Sequence, residues 1–410
     1  MKKTFGDSYM GMLLIMIAGT FLNPQYFFLL SIGYYSLLLV NSKFRMGKPH
    51  IPGFGLYITV ILYGTILGLL MYDTRSVVRD LYYVLPTILW ILIGTNAAYF
   101  GNEKDLFKTL FLYGAFVSIK AAITFVTCFT LDFNVLRTTF GSNVYDVAFI
   151  LPVAVVQIFL YDRVYVSKGI DRMMVILMAT QVVLSLGRMA ILQPIIMIAV
   201  LIFMEYKMAS NKKELKNIVI ILSSIVIFFI GIFYLMPSNV KNPLLEKVLN
   251  SFSEVDASQS ISSVGEAMNN WRAYEIQAAQ AQWESSGVFT QIFGSGFGKG
   301  VEIQYIPYSW AGVVENNEIP LLHNGFYTML IKVGVLGLVA LLWLFVGNYL
   351  KGYRMTKDAD ERQYGMIMMA ISVAGIANTY VVRGPIQQGT FLIWAVLLGW
   401  ISKKGSVNLE

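Results

Sequence analysis

Arg188, Arg272 and His323 are the residues of this chain best suited to chemistry. Arg188 sits between the apolar runs 173–187 and 189–205. His323, followed by Asn324, opens the run 323–347, and Arg272 lies in the long polar segment before it. Two guanidiniums can hold a diphosphate in bidentate fashion and stabilise it as it leaves. An imidazole at a lipid–water boundary can accept a proton at neutral pH. Asn324 reads as the N-cap of the helix behind it. The set suits transfer of a group from a diphosphate-linked lipid to a hydroxyl. Each residue also has a plainer reading. An arginine between two apolar runs is an interfacial anchor, Arg272 could pair with Glu275 or Glu266 on its own helix, and a histidine at a helix start is often structural.

The elements that must position these side chains follow from composition. Of 410 residues, 56% are apolar and 13% charged, and the mean hydropathy is +0.62. A soluble chain carries about 25% charged residues, so this one must turn most of its outside to lipid. Disorder is excluded, and so is a disulfide-built domain, because Cys128 is the only cysteine. Its apolar neighbourhood suggests a buried, inert thiol. The net charge of +7 is spread in short clusters between apolar runs, as a positive-inside bias requires and nucleic-acid binding does not. Met1-Lys2-Lys3 before an apolar run resembles a signal peptide, but no small-residue cleavage site follows, so it is read as part of a first membrane helix.

A membrane helix needs about 20 apolar residues. Twelve windows qualify: 8–22, 25–41, 54–72, 81–100, 109–131, 144–161, 173–187, 189–205, 217–236, 323–347, 363–382 and 385–402. The pair 173–205 is split at Gly187-Arg188. With both termini inside, 20 of the 31 lysines and arginines fall in inside segments and nine outside, with Lys120 and Lys332 within spans. Merging the pair would put Lys207, Lys212, Lys213 and Lys216 outside. The expected fold is an all-α polytopic membrane bundle of about 12 transmembrane helices with one large extracytoplasmic loop containing short helices. It divides into 1–236 (spans one to nine), the loop 237–322 and 323–410 (spans ten to twelve). In the loop, Ser263-x-x-Glu266 predicts a helix through about Trp283, and Gly294, Gly296, Gly298 and Gly300 mark turns. Nine acids face four bases there, so general positive charge does not hold its ligand.

Other features sort candidates. Asp358-Ala-Asp360 has the spacing of a metal and nucleotide-sugar motif but lies among Lys357, Glu361 and Arg362, as a solvated charge run does. The first outside connection, Asn23-Pro24-Gln25, holds no acid. No cluster has metal-ligand spacing, so no metal or other cofactor is expected. Lys120 and Lys332 sit in spans, where a charge costs at least about 2.5–3.5 kcal/mol and faces a partner or a wet cavity. Lys332 would line a cavity about 14 Å below His323, or snorkel, or pair with a buried carbonyl. Arg383, before the last span, is a further candidate phosphate contact, though Gly384-Pro385 beside it also reads as a plain helix break.

Leu322-His323-Asn324-Gly325-Phe326-Tyr327, continuing to Gly334-Val335-Leu336-Gly337, resembles the histidine–asparagine signature of the O-antigen polymerase/O-antigen ligase superfamily. Ser185-Leu186-Gly187-Arg188 is similar to that family's serine–arginine segment. Trp271-Arg272 followed by Gly294-Ser295-Gly296-Phe297-Gly298 resembles its large periplasmic loop. The resemblance runs in order from about residue 140 to 345; before that only topology agrees. It implies a metal-independent GT-C-type glycosyltransferase of the bacterial inner membrane, with its active site on the extracytoplasmic face. Its donor would be an undecaprenyl-diphosphate-linked oligosaccharide. By position Arg188 and Arg272 would hold the donor diphosphate, and His323 would act near the acceptor hydroxyl as base or orienting group, with inversion at the anomeric carbon. Where the family often has an acid, this chain has Lys332.

The expected function is therefore a surface-polysaccharide polymerase, transferring glycan from undecaprenyl-diphosphate to the non-reducing end of another lipid-linked repeat. Asn324, Arg383 and Lys332 join Arg188 and Arg272 as candidate substrate contacts, and a chain-length regulator and a flippase are partner candidates. A ligase transferring finished glycan to lipid A-core or protein would use the same donor chemistry. A twelve-span transporter or flippase is the alternative of another class. Such folds show two similar halves, and the long loop after span nine has no counterpart after span three.

Overall fold

The computed structural model describes residues 6–44, 49–100, 103–129, 132–208, 261–306, 317–387 and 391–404, with the isolated positions 231, 234, 238, 241 and 242. In an apolar surround every backbone N–H and C=O must bond within its own segment, so the apolar runs fold as helices. The first half gives α1 (Gly6–Gly19), α2 (Pro24–Asn41), α3 (Phe54–Met71), α4 (Thr74–Phe100) and α5 (Glu103–Cys128). Next come α6 (Phe133–Gly141), α7 (Val144–Val155, continued by a π-helical turn over Val156–Leu160), α8 (Lys168–Leu184) and α9 (Arg188–Met208). Beyond residue 260 lie α10 (Val264–Asn269), α11 (Trp271–Glu284), α12 (Val288–Phe293) and two short strands, β1 (Val301–Glu302) and β2 (Glu318–Ile319). The strands pair antiparallel with Val301 opposite Ile319. The chain closes with α13 (Gly325–Met355), α14 (Arg362–Val381), a 3₁₀ turn at Gly384–Ile386 and α15 (Leu392–Lys404).

The fold is an all-α bundle. Among the described residues, six helices are long and apolar enough to cross a membrane: α3, α4, α5, α9, α13 and α14. The pair α6 and α7, bent by 65°, makes a seventh if counted as one span. The apolar parts of α1 and α15 are shorter, and the expected span 217–236 lies outside the described residues, as does 237–260 of the expected loop. Ser185–Gly187 does break the run 173–205 into α8 and α9, with Leu186 in the left-handed region at φ 51°. Helix α4 starts well before the expected 81, because Asp73 Oδ1 accepts the Ser76 N–H and caps its first turn.

Apolar side chains also face outward. Leu29, Leu37, Leu62, Ile66, Leu70, Ile176, Ile195 and Phe203 are all exposed, a surface that water would not tolerate on this scale. Cys128 is one correction of this kind. It is exposed at the end of α5, beside the exposed Val126 and Phe129, because an apolar run in such a bundle can face outward as well as inward. Inside, small residues bring backbones together. A Cβ on Gly399 would meet the Ile91 carbonyl, and one on Gly94 the Val396 carbonyl, so α15 lies directly on α4. Gly352 and Gly365 do the same between α13 and α14.

The two ends of the bundle keep to themselves. At the end expected inside, Arg163 pairs with Glu103 at 3.0 Å, and the Lys351 ammonium donates to the carbonyls of His50 and Ser402 at 2.7 and 2.9 Å. At the other end lie the starts of α7, α9 and α13 and the end of α14. Lys120, near that end of α5, donates to the Thr20 carbonyl and stands over the Phe21 ring at 4.1 Å. Its partner is therefore a helix-end carbonyl.

The segment after residue 260 rests on this second end. Ser263 Oγ accepts the Glu266 N–H, as the sequence predicts, but Asn270 interrupts the expected single helix, leaving α10 and α11. Hydrogen bonds from Ser262 hold the Glu266 carboxyl below the usual range. The glycine turn 294–298 inserts into the bundle. Helix α13 departs from helical geometry at Val333 and Gly334, the latter at φ 67°. The break frees the carbonyls of Ile331 and Lys332, which accept the N–H groups of Ser295 (3.0 Å) and Gly296 (2.8 Å). On the other side Phe297 N–H donates to the Gly64 carbonyl of α3 at 3.0 Å, and Gly298 N–H to Asp80 Oδ2 at 2.6 Å. Gly294 and Gly296, at φ 81° and 91°, come so close to α13 and α3 that a Cβ would strike backbone.

Lys332 belongs to this joint. Its ammonium pairs with the Asp80 carboxylate and donates to the Lys299 carbonyl at 2.8 Å, with both side chains buried. The lysine joins α4, α13 and the glycine turn, and of its expected surroundings it is the buried carbonyl that it meets, together with a carboxylate. Lys299 in turn bridges Glu302 and Glu318 at 2.8 and 2.7 Å. Burial alone would lower its pKa, yet the two carboxylates raise it above the ordinary lysine range.

Candidate active site

Glu275 is the hub of the site. Helix α11 buries it to 1% exposure while leaving Arg272, one turn earlier, half-buried. Glu275 Oε1 accepts the Trp271 indole N–H at 2.7 Å, four residues back on the same helix. Its Oε2 accepts the His323 backbone N–H at 2.7 Å, and the ring Nδ1 lies 3.0 and 3.1 Å from the two oxygens. A carboxylate on Nδ1–H leaves the imidazole lone pair on Nε2 and fixes the ring plane.

Asn324 places His323. Its Oδ1 accepts the N–H groups of Phe326 (3.0 Å) and Tyr327 (3.3 Å), the cap expected from the sequence, so the histidine sits immediately before the first turn of α13. Asn324 is buried, and its Nδ2 is covered and without a partner. Its Oδ1 thus serves the helix end, and the expected substrate contact stays a proposal.

Arg383 approaches from α14. Its Nε donates to the Leu322 carbonyl at 3.1 Å, beside the histidine, and φ of 135° turns the chain sharply there. Burial lowers its pKa and the Glu275 carboxylate opposes that fall; a guanidinium stays charged throughout. Arg272 also bears on it electrostatically.

Tyr145, at the start of α7, feels several of these cations. Arg272, Arg137, Arg188 and Arg383 all act electrostatically on its hydroxyl. Arg188 is the first residue of α9 and half-buried; Arg137 is exposed on α6. The frame beneath is polar and cross-linked. Gln193 Nε2 donates to the Tyr145 carbonyl at 3.3 Å, and Asn378 Nδ2 to Gln193 Oε1 at 2.7 Å, joining α7, α9 and α14.

Arg188, Arg272, Arg383 and His323 thus meet at one end of the bundle although they are far apart in sequence, whereas the Lys332 ammonium and Asn324 Oδ1 bond within the scaffold. Glu275 and Arg137 are the residues that sequence reasoning missed as site members. Glu275 was visible only as an ion-pair partner for Arg272, and its four-residue spacing from Trp271 was the available signal. Arg137 was visible only as an outside charge. Chemically, guanidiniums near a half-buried tyrosine can hold a multiply charged anion, and a carboxylate-oriented imidazole can take a proton beside it. Among the described residues no three His, Cys, Asp or Glu side chains gather as a metal site. No protein-family model matches the chain, and no curated protein matches it significantly.

Proposed function

We propose that the protein is a glycosyltransferase of the bacterial inner membrane. It would join lipid-diphosphate-linked oligosaccharide repeats into a surface polysaccharide without a metal and with inversion. The observation that carries this reading is the Glu275–His323 pair at 3.0 Å with Arg383 bonded to the Leu322 carbonyl beside it, supported by Arg188 and Arg272 acting with Arg383 on Tyr145. The twelve-span topology with cytoplasmic termini belongs to the same proposal.

In the proposed reaction the acceptor hydroxyl attacks the anomeric carbon of the donor sugar. The bond from that carbon to the diphosphate oxygen breaks, and the electron pair leaves with the lipid diphosphate. Arg188 and Arg272, with Arg383 beside them, neutralise the charge that grows on the leaving group. The hydroxyl proton passes to Nε2 of His323, and Glu275 holds the ring and stabilises the imidazolium. Guanidiniums take the place that a divalent cation holds in other phosphate chemistry.

Binding and turnover separate these roles. Measured with purified protein and a short-chain prenyl-diphosphate sugar, Arg272→Ala should weaken donor binding and abolish transfer. His323→Ala should leave donor binding within about threefold and lower turnover by about 10²–10⁴-fold, the range for loss of a general base. Unchanged turnover in His323→Ala would remove the histidine from the reaction. Full activity in Arg272→Ala would remove the diphosphate site.

A further inference from the structure

The stretch 285–298 holds no charged side chain and lies between Glu284 and Lys299. It contains α12 and the glycine turn. None of the α12 side chains is buried, and Val288, Phe289 and Ile292 are 71%, 65% and 39% exposed. Three bare apolar side chains on a six-residue helix mark an interaction surface rather than a wetted loop.

The neighbouring helices give the depth of this element. Helix α12 packs along α13, and a Cβ on Gly334 would strike the Ile292 backbone. Gly334 lies nine residues after Gly325, the first of α13, hence about 14 Å along the helix axis. On the other side the Phe293 ring stands 6.1 Å from that of Tyr63. Tyr63 lies eight residues before Met71, the last of α3, hence about 12 Å from that helix end. Both helices are long and apolar enough to cross a membrane, and half its hydrocarbon thickness is about 15 Å. Two separate helices thus set α12 within the depth of one leaflet, on the side of the site. The surface beside it is apolar as well: Leu62, Ile66 and Leu70 of α3 and Val335, Leu336 and Val339 of α13 are exposed.

Non-helical backbone is tolerated at that depth only where protein satisfies its polar groups. Here the N–H groups of Ser295, Gly296, Phe297 and Gly298 all find acceptors on α13, α3 and α4, and Gly294 N–H donates to the Thr290 carbonyl at 2.7 Å. The amide side chain of α12 turns inward. Gln291 Nε2 donates to the carbonyls of Trp283 (3.2 Å), Glu284 (3.3 Å) and Ser286 (3.2 Å), and the Gln291 carbonyl accepts the Trp283 indole N–H at 3.2 Å. We infer that 285–298 is a re-entrant element that dips into the leaflet on the side of the site, and that acyl chains of membrane lipids cover Val288, Phe289 and Ile292. Through Gln291 the dip holds the end of α11, the helix that carries Arg272 and Glu275, at a fixed height over the bilayer. The inference needs the bundle to lie in a membrane and does not depend on the proposed reaction.

The test places nitroxide labels on full-length protein in phospholipid nanodiscs, one at a time in a Cys128→Ser background, through Phe289→Cys and Ile292→Cys. Ile66→Cys on the outer face of α3 and Gln280→Cys on α11 are the references. All four positions are exposed, so the labels fit without repacking. Labels at 289 and 292 should collide with oxygen as readily as the one at 66, and should lose the collisions with a water-soluble nickel chelate that the one at 280 shows. Nickel collisions at 289 matching those at 280 would overturn the inference, because α12 would then stand in water. Shielding of 289 from both reagents would overturn it too, because a protein surface would then be the occupant.

Discussion

At the scale of single residues, the Glu275–His323 pair carries the sharpest expectations. Glu275→Gln keeps the volume but cannot stabilise an imidazolium. It should therefore lower turnover by about 10²-fold or more while leaving donor KM nearly unchanged. Combined with His323→Ala it should cost little further, since the two act as a unit; steady-state kinetics of the two single variants and the double variant decide this. Independent, additive losses would show that Glu275 does not work through the histidine. Arg188, Arg272 and His323 were legible in the sequence because charges at the edges of apolar runs are few. Glu275 was not, because its partner lies 48 residues away and meets it only once α11 settles on α13. Lys332 was legible as an anomaly but not in its purpose, because its carboxylate partner Asp80 reads as an ordinary charge at a helix start.

At the scale of elements, the joint between the glycine turn and the break in α13 is where the outer segment is fastened to the bundle. Lys332→Met would leave the buried Asp80 carboxylate with only the Gly298 N–H and the Arg79 guanidinium at 3.5 Å, and should destabilise the protein by up to about 3 kcal/mol. Adding Asp80→Asn should recover much of that loss, and thermal or denaturant unfolding in detergent measures both. Gly334→Val should loosen the joint, since φ of 67° opposes a β-branched residue and the side chain would meet the Ile292 backbone. A reduced midpoint with faster proteolysis between residues 261 and 306 is expected. The apolar runs gave most helices within a few residues. The departures have local causes: Asp73 extends α4 backward, Asn270 divides α10 from α11, and Val333-Gly334 interrupts α13. The last could not be read from periodicity, because the glycine turn supplies the hydrogen bonds that the broken helix gives up.

At the scale of the whole molecule, the proposed alternating path through a membrane would gather helix ends far apart in sequence in two separate groups. Arg163 and Glu103 meet at one end, and Arg383 and Leu322 at the other. Labelling of single cysteines in a Cys128→Ser background should therefore modify a residue at 137 from the extracytoplasmic side and one at 163 only after the membrane is opened. The reverse pattern would overturn the proposed orientation. The all-α bundle was legible from composition alone, since too few charges exist to cover it with water. The count of spans was less so, because α1, α2, α8 and α15 fall short in length or apolarity and apolar runs do not say how far a helix reaches. The convergence of the arginines was legible only as an expectation of topology, and its chemistry now rests on turnover. The most direct measurement gives purified protein lipid-diphosphate-linked oligosaccharide repeats and resolves the products by size. The account predicts a ladder of lengthening glycans from wild type and none from Arg272→Ala. No transfer by a folded wild-type protein, or the same ladder from Arg272→Ala, would contradict it.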